Sequence, residues 1–135
     1  QSFWNDCQEN VNPLNILLQK GTALMNKNEF LSTYKAYGDD MIIEIIDIFL
    51  QDYPDKISAL KEAIKNKDFK TIESYSHSLK GSIGVFTAGE ERDAAYDLEL
   101  AGKNNDDSNL ENLLMGLDHQ LKSLNEELNK IKNEL

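Results

Sequence analysis

Four residues of this 135-residue chain carry most of its chemical potential: His77, Lys80, Gly81 and Gly84. The last three follow the histidine by three, four and seven residues, so on a helix all four share one face. Apolar residues of the same stretch, Phe69, Ile72, Tyr75, Leu79, Ile83 and Phe86, recur every three or four positions and define the opposite face. The histidine is therefore expected on the solvent side. A neutral imidazole is a nucleophile near pH 7 and needs no base. No Ser, Cys or Asp triad accompanies it. Each glycine costs about 0.5–1 kcal/mol relative to alanine inside a helix. Two such costs beside an exposed histidine suggest a shallow platform that another molecule approaches closely. Lys80, one turn on, would stabilise a dianionic group carried by the imidazole. The chemistry this suggests is transient phosphorylation of His77. The plain alternative is a surface histidine without a role, with glycines that serve only helix contact.

Other candidates are weaker. His119 stands between Asp118 and Gln120 with no second His or Cys at ligand spacing, so no metal site is expected. Arg92, the single arginine, suits planar anions, but a surface ion pair with Glu90 is the simpler reading. Cys7 alone excludes an internal disulfide framework and a multi-thiolate metal centre, and reads as a free thiol in a reducing compartment.

The elements that position the histidine all read as helical. Asn12-Pro13 opens a short helix or ordered linker that ends at Gly21. Asn28 can cap a helix from Glu29 to Tyr37, closed by Gly38. Asp39 or Asp40 caps the next. There Asp40, Glu44, Asp47 and Gln51 form a polar stripe on an otherwise apolar helix, whose pattern continues past Pro54 to Ile64. Pro54 either kinks one long helix or splits it in two. Asp68 caps the histidine helix, expected from Phe69 to about Phe86, and residues 87–89 break it. A helix from Glu90 to about Lys103 turns inward with Ala94, Ala95, Leu98 and Ala101. Gly102 to Asp107 is expected to be a polar turn. The last helix begins at Ser108 or Asn109 and carries a leucine face from Leu110 to Ile131.

Short connections make neighbouring helices antiparallel. The fold expected is all-α: an antiparallel up-down four-helix bundle over 28–135, preceded by short N-terminal helical additions or a linker over 1–27. The chain is long enough for one real core. Its 24 acidic and 14 basic residues give a net charge of −10, which disfavours a nucleic-acid partner. The longest apolar run, Met41 to Leu50, is too short to span a membrane and contains Glu44 and Asp47. No signal-peptide pattern opens the chain, and a start at Gln1 is expected of a piece of something longer.

Ser76-His77-Ser78-Leu79-Lys80-Gly81-Ser82 resembles the H-x-x-K-G-S signature of histidine-containing phosphotransfer (HPt) domains. Similarity extends to Gly38-Asp39-Asp40 with the helix ending Phe49-Leu50-Gln51-Asp52-Tyr53-Pro54. It also covers the turn Asn66-Lys67-Asp68-Phe69, and Ala94-Ala95 with Leu98-Glu99 and Gly102. Together these span roughly residues 28 to 132. The resemblance implies a four-helix bundle that relays a phosphoryl group to or from the aspartate of a response-regulator receiver domain. His77 would carry the group. Lys80 would stabilise its charge, and Gly81, Gly84 and Ser78 would belong to the docking face. No cofactor is implied for this chain, since magnesium belongs to the receiver. One departure is Thr87, where many members have glycine. Ile43, flanked on its helix by Asp40 and Asp47, is expected at the rim of the His77 platform as an exposed docking residue, the alternative being a narrower polar stripe with Ile43 in the core.

The resemblance allows a free-standing cytoplasmic shuttle or the last module of a hybrid sensor histidine kinase, with the kinase in the same chain. The phosphorylated module of a chemotaxis-type kinase and a phosphate-independent helical adaptor are the competing functions. No ATP-binding Gly-rich motif is present, so the segment is expected to be a phosphocarrier rather than an enzyme, without membrane contact of its own.

Overall fold

Wherever apolar residues return every three or four positions the chain is helical, and the computed structural model describes this for residues 27–135. Five helices follow one another: α1 (Lys27–Tyr34), α2 (Asp39–Lys65), α3 (Phe69–Ile83), α4 (Glu90–Lys103) and α5 (Leu110–Glu134). A single 3-10 turn, Lys35–Tyr37, joins α1 to α2. No strand occurs among the described residues. The architecture is the expected all-α bundle. The expected helix after Asn12-Pro13 and Cys7 lie outside the described residues.

Helices α2 to α5 form the bundle and α1 closes one end of it. Helix α3 packs against α2 and α4, and α5 packs against the same two helices from the other side. Cross-bundle pairs fix the directions. Lys56 meets Ser78 while Phe49 meets Phe86, so α2 and α3 run antiparallel. Tyr53 meets Asn125 while Asp47 meets Lys132, so α2 and α5 do too. The core runs the length of the bundle, with Ile46, Leu60, Ile72, Leu98, Leu117 and Leu124 fully buried. Each such side chain contributes roughly 1.5–3 kcal/mol by leaving water.

Several local details differ from the sequence expectations. Helix α1 starts at Lys27, so Asn28 lies inside it rather than capping it. Phe30 is buried against Phe86, which in turn meets Phe49, and this aromatic node fastens α1 to the end of the bundle. Gly38, at φ +88°, takes a backbone conformation that a side chain would strain, and it caps α2 in place of Asp39 or Asp40. Both aspartates fall in the first turn, where the helix dipole favours them. Pro54 neither splits nor ends α2. Tyr53, Ile57 and Leu60 continue the buried stripe beyond it, so packing holds both halves on one core although the proline supplies no N–H. Asp68 caps α3 as expected, accepting from the Thr71 N–H and hydroxyl. Helix α3 stops at Ile83, one turn earlier than expected. Thr87 is buried and its Oγ1 accepts the Gly89 N–H, which shapes the turn into α4.

Gly102 departs most from expectation. It lies inside α4, buried, rather than in a polar turn. A Cβ there would come within 2.6 Å of the Glu73 backbone nitrogen and 2.9 Å of the Phe69 carbonyl oxygen on α3. The missing side chain lets α4 rest directly on the backbone of the histidine helix.

Candidate functional site

The amphipathic spacing of α3 buries Ile72, Ser76, Leu79 and Ile83 and turns His77 outward, with 68% of its side chain exposed. Because α4 lies so close, Glu99 reaches across from it. Its Oε2 is 3.0 Å from His77 Nδ1, and its Oε1 pairs with Lys80 Nζ at 2.8 Å. Glu99 itself is only 14% exposed. The Lys80 ammonium also lies over the Tyr96 ring, 4.8 Å from its centroid. Lys80 is thus held between a carboxylate and an aromatic face, not free in solvent as an outward position suggested.

A carboxylate only accepts hydrogen bonds, so His77 Nδ1 donates to Glu99. The Nδ1–H tautomer leaves the lone pair on Nε2. The arrangement therefore offers one defined nucleophilic nitrogen on an exposed ring, with a cation one turn away. A Cβ at Gly81 would meet nothing within 4 Å, so the surface beside the imidazole is open. A Cβ at Gly84 would meet the Lys80 and Gly81 carbonyl oxygens at 3.3 and 3.4 Å, and Arg92 Nε at 3.7 Å. Arg92 accordingly borders the platform at its Gly84 end.

His77, Lys80 and Gly81 share the outer side of α3, and Gly84, which caps the helix just past Ile83, is exposed beyond them. Ser78 turns toward α2 instead, where its Oγ accepts from Lys56 Nζ at 2.7 Å. Lys56 also pairs with Asp52 at 2.7 Å. Ile43 is not brought to the site. It is half-buried and sits one turn before Asp47, which pairs with Lys132 of α5, on the flank of α2 away from α3. The stripe from which its position was inferred points partly at α5, so its expected place at the rim is corrected. The exposed apolar residues on the side toward α3 are Met41 and Ile48.

Glu99 is the residue that sequence spacing did not assign to the site. It follows the core residue Leu98 and stands 22 positions after His77, so only the α3–α4 crossing pairs them. His119 is exposed on α5. Among the described residues no group of three or more His, Cys, Asp or Glu could hold a metal ion, and no helix is long and apolar enough to cross a membrane.

Burial shifts two carboxyls at the start of α4. Glu91 is raised to about 7, chiefly by desolvation and then by Glu90 and Asp93. Asp93 is raised to about 6, again chiefly by desolvation and then by Asp97. Neither belongs to the His77 cluster.

Comparisons with known proteins bear on the family and the fold. A family model described as the Hpt domain matches residues 44–134. The fold is similar to the crystal structure of histidine-containing phosphotransfer protein B from Pseudomonas aeruginosa. That match has a TM-score of 0.77 at 15% identity and covers 85% of this chain and 98% of that one. It is also similar to the HPT domain of a sensor hybrid histidine kinase from Shewanella. There the TM-score is 0.66 at 19% identity, covering 84% of this chain and 96% of that one. A search of curated protein sequences returns no match.

Proposed function

This chain belongs to the Hpt domain family, and on that premise we propose that His77 carries the phosphoryl group in a two-component phosphorelay. The partner in this reading is a response-regulator receiver domain. The Nε2 lone pair attacks the phosphorus of the receiver's aspartyl phosphate. An N–P bond forms, the P–O bond to the aspartate breaks, and its electron pair leaves with the carboxylate. The imidazole keeps its Nδ1 proton and becomes cationic, which the Glu99 carboxylate offsets. Lys80 lies where its charge opposes that of the phosphoryl oxygens. The reverse step returns the group to a receiver aspartate. Magnesium for the acyl-phosphate chemistry sits on the receiver, and the chain works in the cytoplasm as a phosphocarrier without its own kinase core.

The observation that carries the reading is one exposed imidazole whose Nδ1 is fixed by Glu99 at 3.0 Å, leaving Nε2 available. The test is phosphate transfer from labelled receivers to His77→Gln and His119→Gln variants. Acid-labile label is expected on the second and not on the first, with both melting like the native domain. Persistent label on His77→Gln refutes the assignment.

A further inference from the structure

On α2, Met41, Glu44, Ile48, Asp52 and Asp55 follow one another in steps of three or four residues and so form one stripe. All five are exposed, Met41 by 41% and Ile48 by 61%. The stripe lies on the side of α2 nearer the histidine helix, because Asp52 pairs with Lys56 and Lys56 reaches Ser78. Val85, 39% exposed, stands at the same level of the α2–α3 seam as Ile48. The residue after each, Phe86 and Phe49, meet ring to ring. Val85 stands two residues past the end of α3 and eight residues after His77, with the open surface at Gly81 between them. An apolar patch thus lies along the α2–α3 seam, beyond Gly81 from the imidazole, and the acidic residues Asp40, Glu44, Asp52 and Asp55 stand on α2 next to it. Two cations border the patch: Lys56, engaged by Asp52 and Ser78, and Arg92 at the Gly84 end, so the carboxylates outnumber them.

Apolar patches of this kind mark partner surfaces, and their rims decide which partner is accepted. We propose that the receiver served by this chain docks on Met41, Ile48 and Val85 through an apolar surface ringed by lysines or arginines. The inference rests on the receiver reading above and adds the chemistry that selects among receivers. A second copy of this chain would bring the same carboxylates to the contact, on a molecule of net charge −10, and is repelled. Receivers with an acidic docking rim are refused for the same reason.

The experiment measures second-order phosphotransfer rates with two receivers, one with a basic and one with an acidic docking rim, at low and high salt. The basic-rimmed receiver should transfer at least about tenfold faster at low salt and lose that advantage as salt rises. Glu44→Lys with Asp55→Lys should erase both the preference and the salt dependence. Ile48→Lys should slow transfer about tenfold even at high salt. Circular dichroism melts should match the native domain, since these side chains are exposed. Met115→Lys, on the exposed face of α5, should change nothing. His77-dependent transfer that ignores salt, the double charge reversal and Ile48→Lys overturns the docking inference and leaves the phosphocarrier reading intact. Concentration-dependent self-association abolished by Ile48→Lys assigns the patch to a second copy and also overturns it. Absence of His77-dependent transfer with every receiver overturns both.

Discussion

An imidazole exposed to 68% would present either ring nitrogen to a partner unless something selected one. Glu99 makes that selection here, and it does so while also holding Lys80. The two roles separate experimentally. Glu99→Ala should slow phosphorylation of His77 about tenfold, the scale of a hydrogen bond to a charged group. Glu99→Gln, which keeps an acceptor, should recover part of the rate, and phosphotransfer kinetics on matched concentrations measure both. Lys80→Ala should shorten the lifetime of the phosphohistidine a few-fold and change stability by less than about 1 kcal/mol, because the pair is partly screened. A Lys80→Glu variant that transferred at the native rate would end the electrostatic account. Gly81 meets open space, so Gly81→Leu should raise helix stability by about 0.5–1 kcal/mol while blocking the approach of a receiver. A thermal melt and a transfer assay on the same sample decide this, since the two readouts are expected to move in opposite directions.

At the scale of elements, the site depends on how closely α4 lies on α3. Gly102 is one turn beyond Glu99, and a Cβ on it would meet backbone rather than flexible side chain. Gly102→Ala should cost about 1–3 kcal/mol through overpacking. It should also slow transfer by moving Glu99 away from His77, although position 102 touches no reacting atom. Melting and transfer, compared with Glu99→Ala, test whether the two losses share a cause. The start of the same helix predicts a pH effect. Glu91 is fully buried, and neither of its carboxylate oxygens has a hydrogen bond from another residue. Its folded pKa, about 7, lies above the ordinary 4.5, so between these values the folded state binds more protons than the unfolded one. Its contribution is therefore most favourable below about pH 4.5, declines as pH rises, and stays at its lowest above about 7. Glu91→Gln should leave stability near pH 4 almost unchanged and raise it by about 1–3 kcal/mol near pH 8. Denaturant melts at the two pH values measure the difference, and equal changes at both would refute the assignment.

Across the whole molecule, what the sequence made legible was whatever depends on a single helix. Apolar periodicity located α2 to α5, Asp68 announced the start of α3, and the spacing of Lys80, Gly81 and Gly84 placed them beside His77. What required the structure depends on two helices at once. The partnership of Glu99 with His77 arises at a crossing, and the burial of Gly102 is invisible to a rule that reads glycine as a turn. Ile43 was misplaced because the rotation of α2 is set by its neighbours on both sides, through Lys56 toward α3 and Asp47 toward α5. Pro54 could not be settled from spacing because core packing on either side of it outweighs one missing hydrogen bond. The position of α3 between α2 and α4 carries one more consequence. Its inner face is core, its two seams are held by Lys56 and Glu99, and its outer face must stay low and open. Saturation mutagenesis should find the second half of α3, from Ser76 to Ile83, intolerant around its entire circumference. On α5 the same scan should recover a helical barcode of seven inward positions, from Leu110 to Ile131, with weaker constraint between them at Leu113, packed on the core, and Asn125, bonded to Tyr53.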